Sequence, residues 1–315
     1  MTDNTTLAPT DLLSDVIRSV RLEGSVFFSS RLSAPWGIDL PSANEARFHI
    51  VLEGEAWVRS ETMSEAVLMK AGTGMLLRDG EHHWIADHPG TPKVSSEAVG
   101  RAVEAGTPLF QGGSTDCYML CGYLRFDQNA RHPLFQTMPE RSFIRQPDGT
   151  GLEWLKRIAD LMNWELQESQ SGSLAMMDRV CELFLIQILR HLLMRDGDAA
   201  GFVAALDDVH VNKALERIHA APATAWTLED LADIAGLSRS AFAKRFHELV
   251  GVPPKTYLTM WRMQKARELL RNPYKLLEQI AAEVGYSSDV ALIRAFQRQY
   301  GMSPAAMRRE LSNSN

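Results

Sequence analysis

Two cysteines lie four positions apart in an apolar stretch, Cys117-Tyr-Met-Leu-Cys121, which has the composition of a β-strand. Because successive side chains of a strand point to opposite faces, this even spacing places both thiols on one face. At about 3.3 Å per residue they stand about 13 Å apart, which is too far for a mutual disulfide. Three cysteines are a small and odd number, which predicts a reducing compartment and no disulfide framework. Cys181 lies on an apolar helical stripe and is predicted to be a core residue.

Common catalytic motifs are not found in the sequence. Gly72-Thr-Gly74 and Gly112-Gly113 lack the pattern of a phosphate loop or a dinucleotide site. No Ser/His/Asp or Cys/His arrangement follows a recognisable nucleophile elbow. We therefore predict that the chain is not an enzyme and has no catalytic residues.

Charge is distributed unevenly along the chain. The net charge is −6 over 315 residues, but residues 1–210 carry −11 and residues 211–315 carry +5. A basic C-terminal third on an acidic body indicates a module that binds a polyanion. The N-terminus has no signal-peptide pattern, and no apolar run reaches the roughly 18 residues of a membrane span. These features predict a cytoplasmic protein that does not enter a membrane.

The apolar spacing divides the chain into a β-rich part and a helical part. Short apolar runs separated by Gly and Pro predict the strands of a sandwich or barrel over the first 145 residues, with a long loop over 89–115. From residue 151 the period becomes helical, which predicts a two-helix hairpin. Its second helix is apolar on more than one face, so we expect it to pack against a second subunit as well.

The last hundred residues contain an internal repeat. In each copy a short apolar helix ends at a Gly, a Ser follows at an N-cap position, and a second helix carries two apolar residues four apart. These residues are Gly236, Ser238, Phe242 and Phe246 in the first copy and Gly285, Ser288, Leu292 and Phe296 in the second. This is the order of a helix-turn-helix. Residues 254–271 predict a connecting helix that would let both second helices enter major-groove segments about 34 Å apart.

Residues 211–313 contain both helix-turn-helix units, the connecting helix and the closing Gly-x-Ser/Pro-Pro pattern, and they resemble the DNA-binding domain of the AraC/XylS family of transcription regulators. The resemblance implies base contacts from the outward face of each second helix. The implied residues of the first unit are Ser238, Arg239, Ser240, Ala243, Lys244 and Arg245. Lys244 could donate to guanine O6 or N7 and Ala243 could touch a thymine methyl, whereas Arg239 and Ser238 suit phosphate.

The same face of the second unit is less polar than is common in the family. It holds Ser288, Asp289, Val290, Ile293 and Arg294. Val290 and Ile293 cannot hydrogen-bond to base edges, and Asp289 repels phosphate. Arg294 is therefore the one strong base reader expected there, and the second unit is predicted to contribute less sequence discrimination.

The N-terminal part resembles the cupin-like sensor domain of one AraC subfamily, on residues 34–36, 48–54, 71–83 and 121–127. The resemblance implies a small β-barrel followed by helices that form a dimer. Enzymatic cupins bind a metal through histidines and a glutamate, and the matching positions here are His49, Glu53 and His83. Two nitrogens and one carboxylate suit Zn²⁺, Fe²⁺ or another divalent first-row metal. One histidine of the pattern is missing, which argues against a complete catalytic site, and a packed core role for His49 is the alternative.

The same subfamily includes regulators that respond to reactive chlorine and share the dipeptide Cys121-Gly122. The resemblance therefore implies a redox role for Cys117 and Cys121. Those regulators have a further cysteine near the first strand, where this chain has Ser29 and Ser30. A buried, inert thiol is one alternative, and Cys121 as a metal ligand beside His49 and His83 is another.

Together these features predict an α+β multidomain chain. A cupin-like β-barrel spans 1–147, a helical dimerisation region 148–196, a linker 197–210, and an all-α double helix-turn-helix domain 211–315. The predicted function is that of a homodimeric transcription regulator, typically an activator, which binds a double-stranded DNA operator and RNA polymerase and responds to a small-molecule, metal or redox effector. The alternatives are a metal-dependent cupin enzyme fused to a DNA-binding domain, and a DNA-binding protein whose barrel is only a dimerisation platform.

Overall fold

The computed structural model describes residues 11–19, 22–107, 109–111, 116–126, 132–134, 138–146, 148, 150–168, 170–193 and 201–313. The chain divides into two compact units. The barrel unit comprises Leu22–Phe126 and Pro139–His191, and the helical unit comprises Met1–Arg21, Asp127–Met138 and Leu192–Asn315. The predicted fold class is confirmed. Gly112, Gly113 and residues 197–200 of the predicted linker lie outside the described residues.

Nine strands lie in the described residues of the barrel unit. They are β1 Leu22–Leu32, β2 Gly37–Leu40, β3 Ala46–Ser60, β4 Val67–Lys70, β5 Thr73–Leu77, β6 His83–Ala86, β7 Val94–Ser95, β8 Cys117–Phe126 and β9 Arg141–Ile144. The hydrogen-bonded order is β1-β8-β3-β6-β2-β7, with β4 and β5 also paired to β3 and β9 paired to β5.

The two halves of the long strand β3 pair with different neighbouring strands. Its first half pairs with β8 and β5, and its second half pairs with β4 and β6. The register shifts between Val51 and Glu53, which marks a β-bulge. A bulge adds one residue to a strand, so the alternation of side chains between the two faces is inverted beyond it.

The core of the barrel unit is apolar. Trp36, Met75, Ile85 and Met119 belong to one cluster of buried side chains, each at most 1% exposed. In the strands predicted from the sequence, alternate apolar side chains therefore face the core, as a half-buried sheet requires.

Where the structure describes this unit, three helices accompany the strands: α2 Ser96–Glu104, α3 Glu153–Glu168 and α4 Ser173–Leu193. The prediction of a loop throughout 89–115 is wrong, because α2 occupies its middle. Ser95 caps this helix by accepting a hydrogen bond from the Ala98 backbone N–H at 3.3 Å, and Val99 is buried on its inner side. Helices α3 and α4 form at the predicted hairpin.

The helical unit contains α1 Leu12–Ser19, α5 Phe202–Asp207, α6 Val211–Ala220, α7 Leu228–Ala235, α8 Arg239–Val250, α9 Pro254–Leu269, α10 Leu277–Glu283, α11 Asp289–Tyr300 and α12 Pro304–Asn313. Helix α5 lies within the predicted linker, where Phe202, Val203 and Ala205 are buried. In the described part of the chain, no helix is long and apolar enough to cross a membrane.

Both copies of the repeat form a helix-turn-helix, α7–α8 and α10–α11. Gly236 ends α7 in the left-handed conformation, with φ 68°, which costs glycine no steric penalty. Ser238 and Ser288 accept hydrogen bonds from backbone N–H groups three residues later, at 3.4 and 3.2 Å. The predicted turn and capping residues therefore have the predicted roles.

Helix α9 joins the two helix-turn-helix units. Tyr257 and Trp261 lie in its first half and are buried, and Tyr257 contacts Phe246 of the first helix-turn-helix unit. Met263 and Ala266, further along, belong to the core of the second unit with Phe296. One continuous helix thus supplies core residues to both units, which fixes their separation.

A chain of hydrogen bonds ties distant segments into the helical unit. The Leu134 backbone N–H donates to Nδ1 of His132, whose Nε2 lies 3.2 Å from the Tyr257 hydroxyl. Nε2 of His132 therefore carries the proton and donates it, and the Tyr257 hydroxyl donates to Nε2 of His219 at 2.6 Å. The Nδ1–H of His219 then faces a carboxylate oxygen of Asp15 on α1, at 3.5 Å, and this contact lowers the pKa of Asp15.

Candidate functional site

The exposed face of helix α8 carries the predicted DNA-binding residues of the first unit. Phe242 and Phe246 are fully buried, and their rings contact each other at 5.5 Å between centroids. On the other faces, Arg239, Ser240 and Lys244 are exposed. The helix therefore presents polar and basic side chains to solvent while its aromatic pair holds it in place.

Lys244 and Arg245 differ in how firmly they are held. Nζ of Lys244 lies 3.8 Å from a Glu248 carboxylate oxygen, and both side chains are exposed, so this pair is weak. Nε of Arg245 donates to the Asp208 carboxylate at 2.8 Å, and the side chain of Asp208 is only 8% exposed. Asp208 also accepts the backbone N–H of Val211 at the start of α6. Arg245 is thus held by its own unit, whereas Lys244 is free to move to a partner.

The exposed face of helix α11 differs as the sequence predicted. Ser288 and Arg294 are exposed, and Val290 exposes 52% of its surface. The Asp289 carboxylate accepts a hydrogen bond from the Val290 backbone N–H at 2.8 Å, and Ile293 is half-buried. Arg294 is the only basic side chain among these predicted contact residues.

In the barrel unit, three of the predicted sensor residues lie together. His49 and Cys121 are register partners on β3 and β8, and the His49 Nδ1 lies 2.9 Å from the Cys121 Sγ. The Nε2 atoms of His49 and His83 are 2.7 Å apart, and Nδ1 of His83 is 2.6 Å from the Glu81 carbonyl oxygen. All three side chains are at most 1% exposed.

These contacts determine the protonation of each ring. The Glu81 carbonyl can only accept, so His83 carries its proton on Nδ1 and accepts at Nε2. His49 must then donate from Nε2 and accept at Nδ1, which leaves the Cys121 S–H as the donor to it. The result is a continuous chain from the Cys121 thiol through His49 and His83 to a backbone carbonyl. We call it the thiol–imidazole chain.

Burial keeps the thiol–imidazole chain uncharged. It lowers the pKa of His83 to about 4 and that of His49 well below its ordinary value. It raises the pKa of Cys121, and it raises the pKa of the nearby buried Cys117 to about 12. At neutral pH both imidazoles and both thiols are therefore neutral.

Glu53 does not join the two histidines. The bulge between Val51 and Glu53 inverts the alternation of β3, so Glu53 points away from the face that carries His49. Its carboxylate is exposed and accepts two hydrogen bonds from Arg31, at 2.6 and 2.9 Å. The structure does not assemble the set of His49, Glu53 and His83 that the cupin resemblance implied.

The residues as placed do not fit a divalent metal. Among the described residues, no three His, Cys, Asp or Glu side chains are grouped to hold an ion. Cys121 meets Nδ1 of His49, whereas His83 meets Nε2 at the opposite edge of the same ring. One ion cannot lie at both edges of one imidazole, so these three residues cannot all ligate it in this arrangement.

Two further features of the barrel unit bear on the cysteines. A Cβ on Gly122 would lie 2.3 Å from the Phe48 ring and 2.4 Å from the Ser25 carbonyl oxygen, so only glycine fits beside Cys121. Cys181 is fully buried and packs against Gly24, as expected of a core residue.

Asp208 and the buried histidines His132 and His219 of the helical unit were not found from the sequence, because their partners come from distant segments.

A cupin-type unit joined to two helix-turn-helix units on one connecting helix defines a DNA-binding transcription regulator of the AraC type. Comparison with protein families agrees: the chain belongs to a cupin family, whose model matches residues 11–194, and residues 231–310 match a helix-turn-helix domain.

Regulators from several bacteria are similar to the chain. A putative AraC-like transcription regulator of Streptomyces lividans is 29% identical over 302 residues, which cover 95% of this chain and 98% of that protein. The RCS-specific HTH-type transcriptional activator RclR of Escherichia coli is 28% identical over 192 residues, 60% of this chain and 67% of that protein. The solved DNA-binding domain of AdpA in complex with a target DNA is 30% identical over 34% of this chain and 96% of that domain, with a TM-score of 0.32.

Proposed function

We propose that the protein is a cytoplasmic, homodimeric activator, without enzymatic activity, that reads its operator through helices α8 and α11 and changes its DNA affinity when the thiol–imidazole chain is oxidised. The observation that supports operator reading is the pair of capped, outward-facing helices on the single helix α9. RNA polymerase is the partner expected of an activator that binds double-stranded DNA.

The proposed DNA contacts are those predicted for the two helices. Lys244 and Arg294 are exposed cations that can reach guanine O6 or N7. Arg239, Ser238 and Ser288 lie at the helix N-termini, where backbone N–H groups also favour phosphate. The remaining contact residues are Ser240, Ala243, Asp289, Val290 and Ile293. Because Asp208 already binds Arg245, we assign Arg245 a positioning role for α8.

The proposed dimer forms through helices α3 and α4. Five large apolar side chains on these helices are exposed by 38 to 84%: Leu161, Trp164, Leu174, Met176 and Leu183. Such a concentration of exposed apolar surface on one helical hairpin is typical of a protein interface. Light scattering of the full-length protein at micromolar concentration tests this; a monomer would contradict it.

The proposed signal is a small, neutral oxidant, because a charged species pays a large desolvation penalty in the apolar surroundings of Cys121. Hypochlorous acid is such a molecule, and the name of RclR connects that relative to reactive chlorine species. Hypochlorous acid would transfer its oxygen to sulfur, giving sulfenic acid, chloride and a proton, while the two electrons pass from sulfur to chlorine. His49 accepts the thiol hydrogen bond and so orients the sulfur, and the released proton leaves the apolar site together with the chloride.

The experiment measures operator affinity of the full-length protein before and after one equivalent of hypochlorous acid. Operator DNA is first obtained by selection from random duplexes. We expect the affinity of the parent to change severalfold and that of Cys121→Ser to stay constant. Cys181→Ser is the matched control, since Cys181 is equally buried but packs against Gly24. An equal response in Cys121→Ser and the parent would contradict the proposal that Cys121 senses the oxidant. Failure to select any operator would contradict the proposal that α8 and α11 bind a specific DNA sequence.

A further inference from the structure

A cleft opens on the outer face of the barrel unit, between strands β1 and β8 and helix α3. Its volume is about 580 Å³, within the range of pockets that hold small organic molecules. The core of the same barrel is occupied by the cluster around Trp36 and Met119. A ligand in this cleft would therefore touch the barrel from outside, against α3.

Three polar side chains meet at the wall of the cleft. Oδ1 of Asn163 on α3 accepts hydrogen bonds from the Ser29 hydroxyl at 2.7 Å and from the Tyr118 hydroxyl at 2.5 Å. The two hydroxyl oxygens are 3.3 Å apart. Their protons are committed to Asn163, so the lone pairs of both oxygens and the Asn163 amide N–H groups are left to pair with a guest.

The charges at the cleft cancel. Arg31 lies over the Tyr118 ring, with its guanidinium carbon 4.4 Å from the centroid, and it is paired with both Glu53 oxygens. Beside it, the Gln111 amide donates to the Ser30 hydroxyl at 3.1 Å. The lining thus offers hydroxyl and amide groups as hydrogen-bond donors and acceptors, and its arginine, Arg31, is neutralised by Glu53.

The cleft also has an apolar wall. Phe27 exposes 48% of its surface, and the β1 register shifts between Val26 and Phe28 where it pairs with β8. A bulge of this kind re-aims a side chain, and bulges are frequent beside binding sites. An aromatic surface beside a group of hydroxyls and amides suits a guest that has both C–H faces and hydroxyl groups.

We propose that this cleft binds a neutral, hydroxyl-rich small molecule of monosaccharide to disaccharide size. Each ligand hydroxyl can donate to one wall group and accept from another, as the mixed donors and acceptors of Ser29, Tyr118 and Asn163 require. The site lies apart from the thiol–imidazole chain and does not depend on oxidant sensing. Because one wall is β1 and the other is α3, a bound molecule would bridge the strand layer and the helical hairpin.

The test uses isothermal titration of the full-length protein with four neutral probes, D-glucose, D-galactose, maltose and D-mannitol, and with D-glucuronate as the charged comparison. We expect saturable binding of at least one neutral probe at millimolar concentration and weaker binding of D-glucuronate. Tyr118→Phe removes one hydroxyl and should weaken the binding roughly three- to tenfold.

Tyr123→Phe is the matched control. Tyr123 lies on the same strand and also has an arginine over its ring, Arg125 at 5.0 Å, but it does not line the cleft. Its variant should bind like the parent. The proposal is overturned if no neutral probe binds, if D-glucuronate binds most tightly, or if both tyrosine variants lose the same affinity. Operator binding is measured separately, so these outcomes are distinct from a failure of the proposed regulatory function.

Discussion

The buried imidazole of His83 should make the barrel unit sensitive to acid. Its pKa is about 4 in the folded protein and has an ordinary value of 6.5 when exposed. As pH falls, the unfolded chain therefore binds a proton before the folded chain does, and the stability contributed by the neutral ring is complete above pH 6.5 and lost toward pH 4. Between about pH 7.5 and about pH 5, this one group should lower the free energy of unfolding by about 2 kcal/mol.

Hydrogen exchange of peptides from β3 and β6 measures this loss directly, after correction for the intrinsic pH dependence of exchange. His83→Gln removes the titrating group. The free energy of opening measured by exchange should therefore decrease less in this variant than in the parent over the same pH range, and the difference should be about 2 kcal/mol. His88→Gln, at an exposed histidine of the same unit, should behave like the parent. If His83→Gln and the parent lose stability in parallel, the imidazole is not held neutral by burial and the assignment of the thiol–imidazole chain fails.

Three substitutions test other parts of the structure. Lys244→Ala should relax specificity at one base pair and weaken operator binding by about 1–3 kcal/mol, and coincident specificity profiles of variant and parent would remove Lys244 from the base readers. Phe246→Ala should destabilise the helical unit by about 3–5 kcal/mol in urea unfolding, because the ring is fully buried against Phe242 and Tyr257. Gly122→Ala forces a Cβ to within 2.4 Å of a carbonyl oxygen and should cost about 1–3 kcal/mol or more; an unchanged unfolding midpoint would mean that β8 adjusts freely.

The DNA-binding half could be predicted in detail because its signals are local. Gly236, Ser238 and Ser288 act within one turn of their own helix, so the sequence neighbourhood contains all the information that their roles require. The apolar pairs four residues apart, one in each copy of the repeat, are local for the same reason. The decrease in polarity from α8 to α11 is likewise visible in the residue types alone.

The sensor half was less predictable because its decisive contacts are long-range. The bulge near Leu52 is set by the pairing of β3 with β8, and it alone decides that Glu53 leaves the face of His49. The approach of Cys121 to His49 depends on the register between two strands that are 72 residues apart in sequence. The motif spacing could name these residues but could not show which edge of the imidazole each one meets.

The histidine and tyrosine contacts of the helical unit affect how such regulators can be recombined. Asp15 precedes strand β1 and His132 follows strand β8 in the sequence. Both nevertheless contact side chains of α6 and α9 and complete the hydrogen-bond chain there. A chimera made by a single cut before α5 would give a new sensor to the DNA-binding helices but would remove these partners from His219 and Tyr257. Exchange of sensors between relatives therefore requires three grafts, so that residues 11–19 and 132–134 stay with the helices that they contact.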